Sequence, residues 1–346
     1  MKDIDSRVKR TTTKAPRLAD VARLASVSPS LVSRVLNSDP TLQVRSETRA
    51  AVMSAVEMLG YVPDAAARAL RNAKTGLLGF ALHHVNDQIY VDMVESAQAE
   101  ATNRGYSIIL INSDELPARR QQFRAIIQGH RVDGLLIQNG FSKSDKGLES
   151  LARPIPSVMF GGDAAEGLLT LRLDDGVAAK MATKHLIGLG HTSIAFIGAD
   201  GASSARRYDG YRAALADAGL RAIPAVDGGW TSDSAHDAAR RLLGSGVPVT
   251  GLVAVTTTVA LGVHSGIVAE GRRIPDDVSL VSVHDTSFAR HLNPPLTVVA
   301  LPIKEAGALG VSLLIDQMRE RSAGEVVVAD PRPALVVRGS TAPPIA

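Results

Sequence analysis

Three short segments carry residue types that could do catalytic chemistry, but each has unsuitable spacing. The pair Gly188-x-Gly190 follows a helical pattern and precedes a strand pattern, which reverses the order of a dinucleotide-binding turn. The neighbours His83-His84 lack zinc-binding spacing and a nearby third ligand. In the segment 262–266 the serine stands one place late for a nucleophile elbow. We therefore predict that the chain is not an enzyme and that it uses no metal or other cofactor.

Recognition chemistry is available in the segment that follows Ser28. Its apolar residues recur at helical spacing, which predicts a helix from Pro29 to about Asn37. The inward residues would be Leu31, Val32, Val35 and Leu36. The outward residues would be Pro29, Ser30, Ser33, Arg34 and Asn37. Arg34 is the best candidate for reading a base, because a guanidinium can bond a guanine edge through two N–H groups.

Two further helices would position this one. An amphipathic pattern predicts the first helix over Leu18–Ala25, and Ser46–Leu59 predicts a third helix that Gly60 closes. Ser28 would cap the second helix, with Pro29 at its first position. Two short helices joined by a tight turn and supported by a third form a helix-turn-helix, whose second helix enters the major groove. On spacing alone, a small helical bundle with ordinary surface arginines is the alternative.

The charge of the chain is concentrated at its N-terminal end. Residues 1–76 contain 13 Lys/Arg against 7 Asp/Glu, a balance of +6, and the remainder contains 25 against 28, a balance of −3. A basic head on a mildly acidic body indicates that the head meets a polyanion. Ser46, Thr48 and Arg49, at the start of the third helix, could hold phosphate through side chains and free N–H groups.

Composition excludes several classes of protein. The sequence contains no cysteine, which excludes disulfides, thiolate metal sites and cysteine nucleophiles. Aromatic residues make up only 3%, so stacking on single-stranded nucleic acid is not expected. Residues 1–17 are polar and basic and contain no apolar segment of a signal peptide, and no span long enough for a membrane follows. We therefore expect a cytoplasmic protein with no membrane partner.

From Leu77 onward, short apolar segments alternate with longer helical patterns. Strands are predicted at 77–82, 107–111, 134–137, 157–160, 193–197, 251–255 and 279–283. Helices are predicted at 91–104, 121–128, 177–189, 209–218 and 234–243. Such alternation predicts parallel sheets with crossover helices, and ligands of such folds bind beyond the carboxyl ends of the strands.

The N-terminal motifs resemble the headpiece of the lactose-repressor (LacI/GalR) family. The matching segments are Leu18-Ala19-Asp20-Val21-Ala22, Val27-Ser28, Val32-Ser33-Arg34-Val35-Leu36-Asn37, Thr48-Arg49 and Leu59-Gly60-Tyr61-Val62-Pro63. The resemblance implies binding of double-stranded operator DNA at a near-palindromic site by a homodimer. Two departures are visible, since Ser26 stands where the family usually has glycine and Leu31 where it usually has threonine.

The resemblance also implies a hinge helix after the headpiece. It covers Asp64 to Arg71, and its Leu70 matches the leucine that the family wedges into a minor-groove base step. Tyr61, Ala67 and Arg68 are further candidates for DNA contact. The implied domains are a basic arm (1–16), the headpiece (17–63), the hinge (64–75) and an effector-binding and dimerisation domain (76–346).

The body resembles the effector domain of the same family, a two-lobed α/β fold of the type-I periplasmic-binding-protein kind. The matching segments are Arg131-Val132-Asp133-Gly134, Gly190-His191, Ile194–Gly198, Ile274–Ser279 and Pro294–Thr297. The implied first lobe covers about 76–170 and 302–330, and the second covers about 171–300 and 331–342. Position by position, the resemblance implies effector contacts by Tyr90, Asp175, Arg207, Trp230, Thr256 and His284. A core position for Trp230 and a surface ion pair for Arg207 are the alternatives.

Two departures in this body bear on the effector. Thr256-Thr257 stands where the family often has Asn-Asp, and His284 stands where it usually has an aspartate. Replacing a carboxylate by imidazole removes a bidentate acceptor and can add a donor or a positive charge. Our hypothesis is that the carbohydrate-like effector carries an anionic group held by Arg207 and His284. A corepressor-dependent regulator, a ligand-independent one and a solute-binding protein are the remaining alternatives.

Overall fold

A computed structural model describes residues 16–37, 39, 41–61, 74–83, 85, 87–113, 121, 124–125, 127, 129, 131–140 and 145–345. The chain divides into an N-terminal unit, Met1–Lys74, and a C-terminal unit, Thr75–Ala346. The predicted hinge residues Ala67, Arg68 and Leu70 lie outside the described residues.

The N-terminal unit contains three helices among its described residues. They are α1 (Leu18–Leu24), α2 (Pro29–Leu36) and α3 (Ser46–Leu59). Val21, Val32 and Val52, one from each helix, are fully buried against one another in a small apolar core. The periodicity of the sequence predicted this packing, since apolar residues at helical spacing form one face of each helix.

The turn between α1 and α2 is built from local hydrogen bonds. The Ser28 hydroxyl accepts a bond from the Leu31 amide at 3.2 Å, and Pro29 occupies the first helical position, as predicted. Ser26 has a φ of +53°, the left-handed conformation that favours glycine. The departure from the family's glycine therefore falls at the one residue of this turn that needs positive φ.

The C-terminal unit contains two six-stranded sheets among its described residues, in the orders β11-β5-β4-β3-β1-β2 and β12-β10-β9-β8-β6-β7. The strands are β1 (Leu77–Leu82), β2 (Ser107–Asn112), β3 (Gly134–Gln138), β4 (Ser157–Phe160), β5 (Leu169–Leu173), β6 (Ile194–Gly198), β7 (Val226–Asp227), β8 (Gly251–Ala254), β9 (Ser279–Val283), β10 (Thr297–Ala300), β11 (Gly324–Val328) and β12 (Ala334–Val336). All neighbours pair in parallel except β10 and β12. The prediction of parallel α/β sheets is confirmed.

Seven α-helices connect these strands within the described residues. They are α4 (Val91–Asn103), α5 (Lys146–Ala152), α6 (Asp175–Gly188), α7 (Ala202–Asp217), α8 (Ser232–Gly244), α9 (Thr257–Ala269) and α10 (Ile303–Gln317). Helices α4 and α10 pack against each other, as do α6 and α7, and α8 and α9. Because these helices cover the parallel sheets, central strands such as β3 and β9 are buried along their whole length.

The chain passes between the two sheets three times. It leaves the first sheet after β5, returns after β10 to form α10 and β11, and leaves again to form β12. The predicted boundary at residue 170 falls inside β5, which belongs to the first sheet through Leu173. The predicted helix 209–218 begins seven residues earlier, at Ala202, because polar residues on its buried face interrupt the apolar periodicity.

Candidate DNA-binding face and ligand cleft

Helix α2 presents a polar face to solvent. Its Val32 and Val35 are buried in the core, whereas Pro29, Ser30 and Arg34 are exposed. Ser33 is half-buried, and Asn37 is exposed at the end of the helix, where its side-chain amide donates to the Ser33 carbonyl at 2.7 Å. The five predicted outward residues therefore lie on one side of α2 or at its end.

The guanidinium of Arg34 is engaged within the unit. Its Nε donates to Asp39 Oδ2 at 2.7 Å, and its Nη2 donates to Thr41 Oγ1 at 3.1 Å. Hydrogen bonds from Thr41 and Arg34 lower the pKa of the Asp39 carboxyl to about 2, so this carboxylate stays charged at neutral pH. Asp39, which the sequence analysis did not single out, thus holds the arginine predicted to read a base while no DNA is bound.

The other predicted DNA contacts are more varied. Ser46 and Arg49 are exposed at the start of α3, and Thr48 beside them is half-buried. Tyr61 is half-buried and packs against the core of the N-terminal unit. Tyr61 therefore contributes to packing as well as to the surface.

One cavity in the C-terminal unit brings together all six predicted effector contacts. Tyr90, Asp175, Arg207, Trp230, Thr256 and His284 line it together with several apolar side chains. The cavity encloses about 460 Å³ of empty space, including its opening to solvent. These six residues are spread over almost two hundred positions of the sequence, so only the fold places them together.

The fold brings them together at the carboxyl ends of the strands. Asp175 begins α6 just after β5, Thr256 caps α9 just after β8, and His284 directly follows β9. The Thr256 hydroxyl accepts a bond from the Val259 amide at 3.2 Å, which fixes its position. This is the edge at which ligands of parallel α/β folds bind.

A buried ion pair forms the centre of the cavity wall. Asp175 Oδ1 accepts bonds from Arg207 Nε at 2.9 Å and from Arg207 Nη2 at 2.7 Å. Arg207 also donates to the Val255 carbonyl at 2.6 Å and reaches His284 Nε2 at 2.8 Å. Because both partners are buried and hydrogen-bonded, the pair holds the guanidinium in one orientation.

His284 is a neutral imidazole in this arrangement. Burial, followed by the nearby charge of Arg207, lowers the pKa of His284 well below its usual value. Since Arg207 only donates, Nε2 must accept and Nδ1 must carry the proton. The backbone of His284 has a φ of +72°, and the Thr257 hydroxyl donates to its carbonyl at 2.7 Å. We therefore expect His284 to offer a ligand a neutral N–H donor rather than a positive charge.

Arg206 is a cleft residue that the sequence analysis missed. Its Nη2 donates to Asp175 Oδ2 at 3.0 Å and to the Gly161 carbonyl at 2.5 Å, and its Nη1 pairs with Asp163 at 3.0 Å. Gly161 and Asp163 follow β4 of the first sheet, whereas Arg206 lies in α7 beside the second. Its position next to Arg207 was the available signal, but the partners of the two residues depend on the fold.

A second contact joins the two sides of the cleft. The Thr258 hydroxyl, on α9, donates to Asp87 Oδ1 at 2.7 Å, and Asp87 follows β1 of the first sheet. Together with the bonds of Arg206, this bond joins the two sides of the cleft by contacts of the protein itself.

Two negative observations apply to the described part of the chain. There, no helix is long and apolar enough to cross a membrane. Over the same residues, no group of three or more His, Asp or Glu side chains is arranged to hold a metal ion.

Two family descriptions match the sequence. Residues 17–64 match the bacterial regulatory proteins of the lacI family, and residues 183–341 match the periplasmic binding protein-like domain. The first match covers the three helices of the N-terminal unit, and the second covers all six strands of the second sheet and four of the six cleft residues.

Individual relatives match over nearly the whole chain. The catabolite control protein A of Priestia megaterium is 31% identical over 319 residues, which cover 90% of this chain and 95% of that protein. A solved complex of the transcriptional regulator CelR with cellobiose is 29% identical, with a TM-score of 0.70, and covers 94% of this chain and 99% of the other. The lac repressor dimer bound to operator and the anti-inducer ONPF is 24% identical, with a TM-score of 0.83, covers 95% and 100%, and supports the fold alone.

Proposed function

The chain belongs to the LacI family of bacterial regulatory proteins, and from that premise we propose that it represses transcription until a small-molecule effector enters its cleft. It is a DNA-binding transcriptional regulator and not an enzyme. In the proposal, α2 reads the bases of an operator half-site through Arg34. Ser46, Thr48 and Arg49 would hold the phosphates.

The observation that carries the effector site is the convergence of the six predicted contacts on one cavity. A cavity between two sheets is suited to regulation, because a ligand that contacts both sides changes how the sides are held together. A ligand with different affinity for two such arrangements shifts their populations, which is the free-energy coupling that regulation requires. Release of operator by the ligand is the proposed direction.

A carbohydrate-like effector is supported by the relatives. The CelR complex contains cellobiose, and another relative is the ribose operon repressor of Escherichia coli. The cavity offers a similar combination of surfaces, since Trp230 and Phe160 line it together with hydroxyl and guanidinium groups. Flat apolar rings beside a few fixed polar groups suit a sugar ring.

A homodimer on a near-palindromic operator is the proposed assembly. Strand β2 is an edge strand of the first sheet, and its Ile109 and Leu110 are exposed. Exposed apolar residues on an edge strand favour association with another protein surface. A second copy of the chain would cover this edge and would bring a second α2 to the other half-site. Because the proposed partner is chromosomal DNA, we place the protein in the cytoplasm.

Selection of binding sites from random duplex DNA by the full-length protein tests this proposal. We expect an enriched palindrome with a defined centre, and we expect the Leu70→Ala variant to bind it more weakly. Adding a cell-metabolite extract should release the selected duplex, whereas tighter binding would make the ligand a corepressor. Binding that is only salt-sensitive and independent of sequence, with and without the extract, would contradict the proposal.

A further inference from the structure

The acceptor groups of the cavity are already used by the protein. Asp175 is the one carboxylate among the described residues that line it. Its Oδ1 accepts two bonds from Arg207, and its Oδ2 accepts two bonds from Arg206. The side-chain carbonyl of Gln138 accepts from the His83 amide at 2.8 Å. With four bonds accepted, the Asp175 carboxylate has no lone pair left for the hydroxyl protons of a sugar, and the Gln138 carbonyl has at most one.

Donor groups do remain. A guanidinium has five N–H groups, and Arg207 commits four of them to Asp175, Val255 and His284, which leaves one on Nη1. The protonated Nδ1 of His284 is buried and has no acceptor among the described residues. The Thr256 hydroxyl accepts from Val259, so its own proton is available to a ligand. An occupant of this cavity meets donors that need an acceptor.

The charges near the cavity, like its free donors, favour a ligand that accepts hydrogen bonds. Arg206 and Arg207 contribute two positive charges, and their side chains are 19% and 4% exposed. Asp175 opposes them with a single buried negative charge. The second carboxylate, Asp163, is 82% exposed, so solvent screens its attraction for Arg206. The two guanidinium groups therefore outnumber the one buried carboxylate between them, although most of their N–H groups are already paired.

From the donor set and this charge we infer that the effector carries a carboxylate, as in a sugar acid, recognised by the wall that Arg207, Thr256 and His284 form, with Arg206 adding its positive charge beside Asp175. This inference rests on the proposed function and narrows the ligand class of the same site. A carboxylate is an acceptor at both oxygens and brings no proton that needs a partner. A neutral polyol at the same place could donate no hydroxyl proton to Asp175, whose lone pairs are already used.

The remainder of the cavity accommodates the rest of such a molecule. Ile89, Met93, Phe160, Leu173, Trp230 and Ile303 supply apolar lining. The Nε1 of Trp230 donates to the Asp200 carbonyl at 3.1 Å, which fixes the orientation of the indole. A ring with one apolar face and a carboxylate at one end satisfies both parts of the wall.

Matched pairs of ligands test the inference on the full-length protein by isothermal titration calorimetry. The probes are D-glucose with D-glucuronate and D-galactose with D-galacturonate, because each pair differs by the carboxylate at one carbon. We expect the acid of at least one pair to bind at least tenfold more tightly than its neutral partner. A neutral sugar that binds as tightly as its acid, or no binding by any of the four probes, would overturn the inference.

Two variants test the assignment to this wall. His284→Asp returns a carboxylate acceptor and cancels the excess positive charge, and aspartate tolerates the positive φ of this position. We expect it to lower the ratio of acid to neutral affinity at least tenfold. Arg206→Gln should lower the same ratio and also serves if His284→Asp fails to fold. Arg212→Gln, which removes an exposed arginine of the same helix, is the matched control and should leave the ratio unchanged. An unchanged ratio in both test variants would overturn the assignment.

The outcomes separate this inference from the proposed function. Site selection on DNA needs no ligand. An enriched palindrome without uronate binding would therefore contradict the inference of a carboxylate effector and leave the proposed function intact. Uronate binding without an enriched palindrome would contradict the proposed function and leave the inference of a carboxylate effector intact.

Discussion

Two arginine–aspartate pairs of equal length occupy the two units of the molecule. Arg34 and Asp39 are joined at 2.7 Å on the surface of the N-terminal unit, with side chains 45% and 27% exposed. Arg207 and Asp175 are also joined at 2.7 Å, but their side chains are 4% and 3% exposed. Water can replace either partner of the first pair, whereas the second pair has no such substitute. The distance is the same, and burial decides what the pair can do.

This difference matches the work proposed for each arginine. A base-reading guanidinium must exchange its partner when DNA arrives, and a solvent-exposed carboxylate is released at little cost. A guanidinium that forms the wall of a ligand cavity must keep its orientation when the cavity is empty. The Arg34–Asp39 pair is therefore suited to exchanging its partner for DNA, and the Arg207–Asp175 pair to staying intact.

The largest expected effect follows removal of the buried carboxylate. Asp175→Asn leaves the charges of Arg206 and Arg207 uncompensated, so we expect the free energy of unfolding of the C-terminal unit to fall by about 3–5 kcal/mol. Urea unfolding followed by the fluorescence of Trp230, the only tryptophan, measures it. Asp217→Asn, which breaks an exposed pair with Lys180, is the control and should change little. Equal effects of the two substitutions would remove the distinction between the pairs.

The exposed pair should matter for DNA and little for folding. Arg34→Ala is expected to weaken binding of the selected operator by about 1–3 kcal/mol and to relax specificity at one base pair. Fluorescence anisotropy with the operator and with duplexes changed at single positions measures both. Arg34→Lys keeps the charge and loses the two-pronged geometry, so it should retain affinity for nonspecific DNA better than specificity. If Arg34→Ala lowers affinity for all duplexes alike, the arginine contacts phosphate rather than a base.

The two pairs should also differ in their response to pH. The pKa of Asp39 is about 2, so its pair with Arg34 stays intact above pH 4. The pKa of His284, next to Arg207, is lowered when the protein folds. The unfolded chain then takes up this proton first, so stability is complete above the usual histidine pKa of about 6.5 and falls as the pH drops below it, by about 1.4 kcal/mol per pH unit.

Urea midpoints of the C-terminal unit at pH 7.5 and pH 5.5 measure this decline. His185 and His191 have pKa values lowered by burial and add to it, so the wild type declines further than His284 alone would require. His284→Asn keeps an acceptor for Arg207 and a residue that tolerates positive φ, and it should remove the share of His284. If the variant loses as much stability between pH 7.5 and pH 5.5 as the wild type, His284 is not the origin of the decline.

The smallest expected effect lies in the turn before α2. Ser26→Gly relieves the left-handed backbone of a non-glycine residue, so we expect the N-terminal unit to gain about 0.5–1 kcal/mol. Hydrogen exchange of the buried Val32 amide in the full-length protein measures the gain. Ser54→Gly, in the exposed middle of α3, should not slow this exchange and should lower the stability of the unit by a similar amount. Slower exchange in both variants would point to an effect other than the turn.

The two units also differ in how much their sequence predicts. In the N-terminal unit, the Ser28 cap, Pro29 at the first position and Gly60 after α3 are local signals, and each predicted helix ends within one residue of the observed one. Asp39 was missed because its contact with Arg34 depends on the path of the loop rather than on helical spacing.

In the C-terminal unit, local patterns predicted most strands but not the limits of the helices around the cleft. Helix α7 begins at Ala202 although Ser203, Ser204 and Arg207 lie on its buried face, so its first half lacks an apolar stripe. Helix α9 is apolar along most of its length, which hides the helical period. The six cleft residues followed from resemblance, and the ion pairs of Arg206 followed only from the fold.

The three passages of the chain between the sheets also set the order in which the protein can be completed during synthesis. The first sheet begins with β1, but its covering helix α10 and its edge strand β11 are synthesised only after the ten strands β1–β10. Until then the β5 edge of the first sheet is unpaired, and the part of the sheet that α10 covers (β3, β4 and β5) is bare while most of the second sheet is translated. Domains generally fold as units as they emerge, and exposed edges of partly made sheets favour aggregation. A chain of this topology should therefore depend on chaperones most while residues 175–300 are being translated.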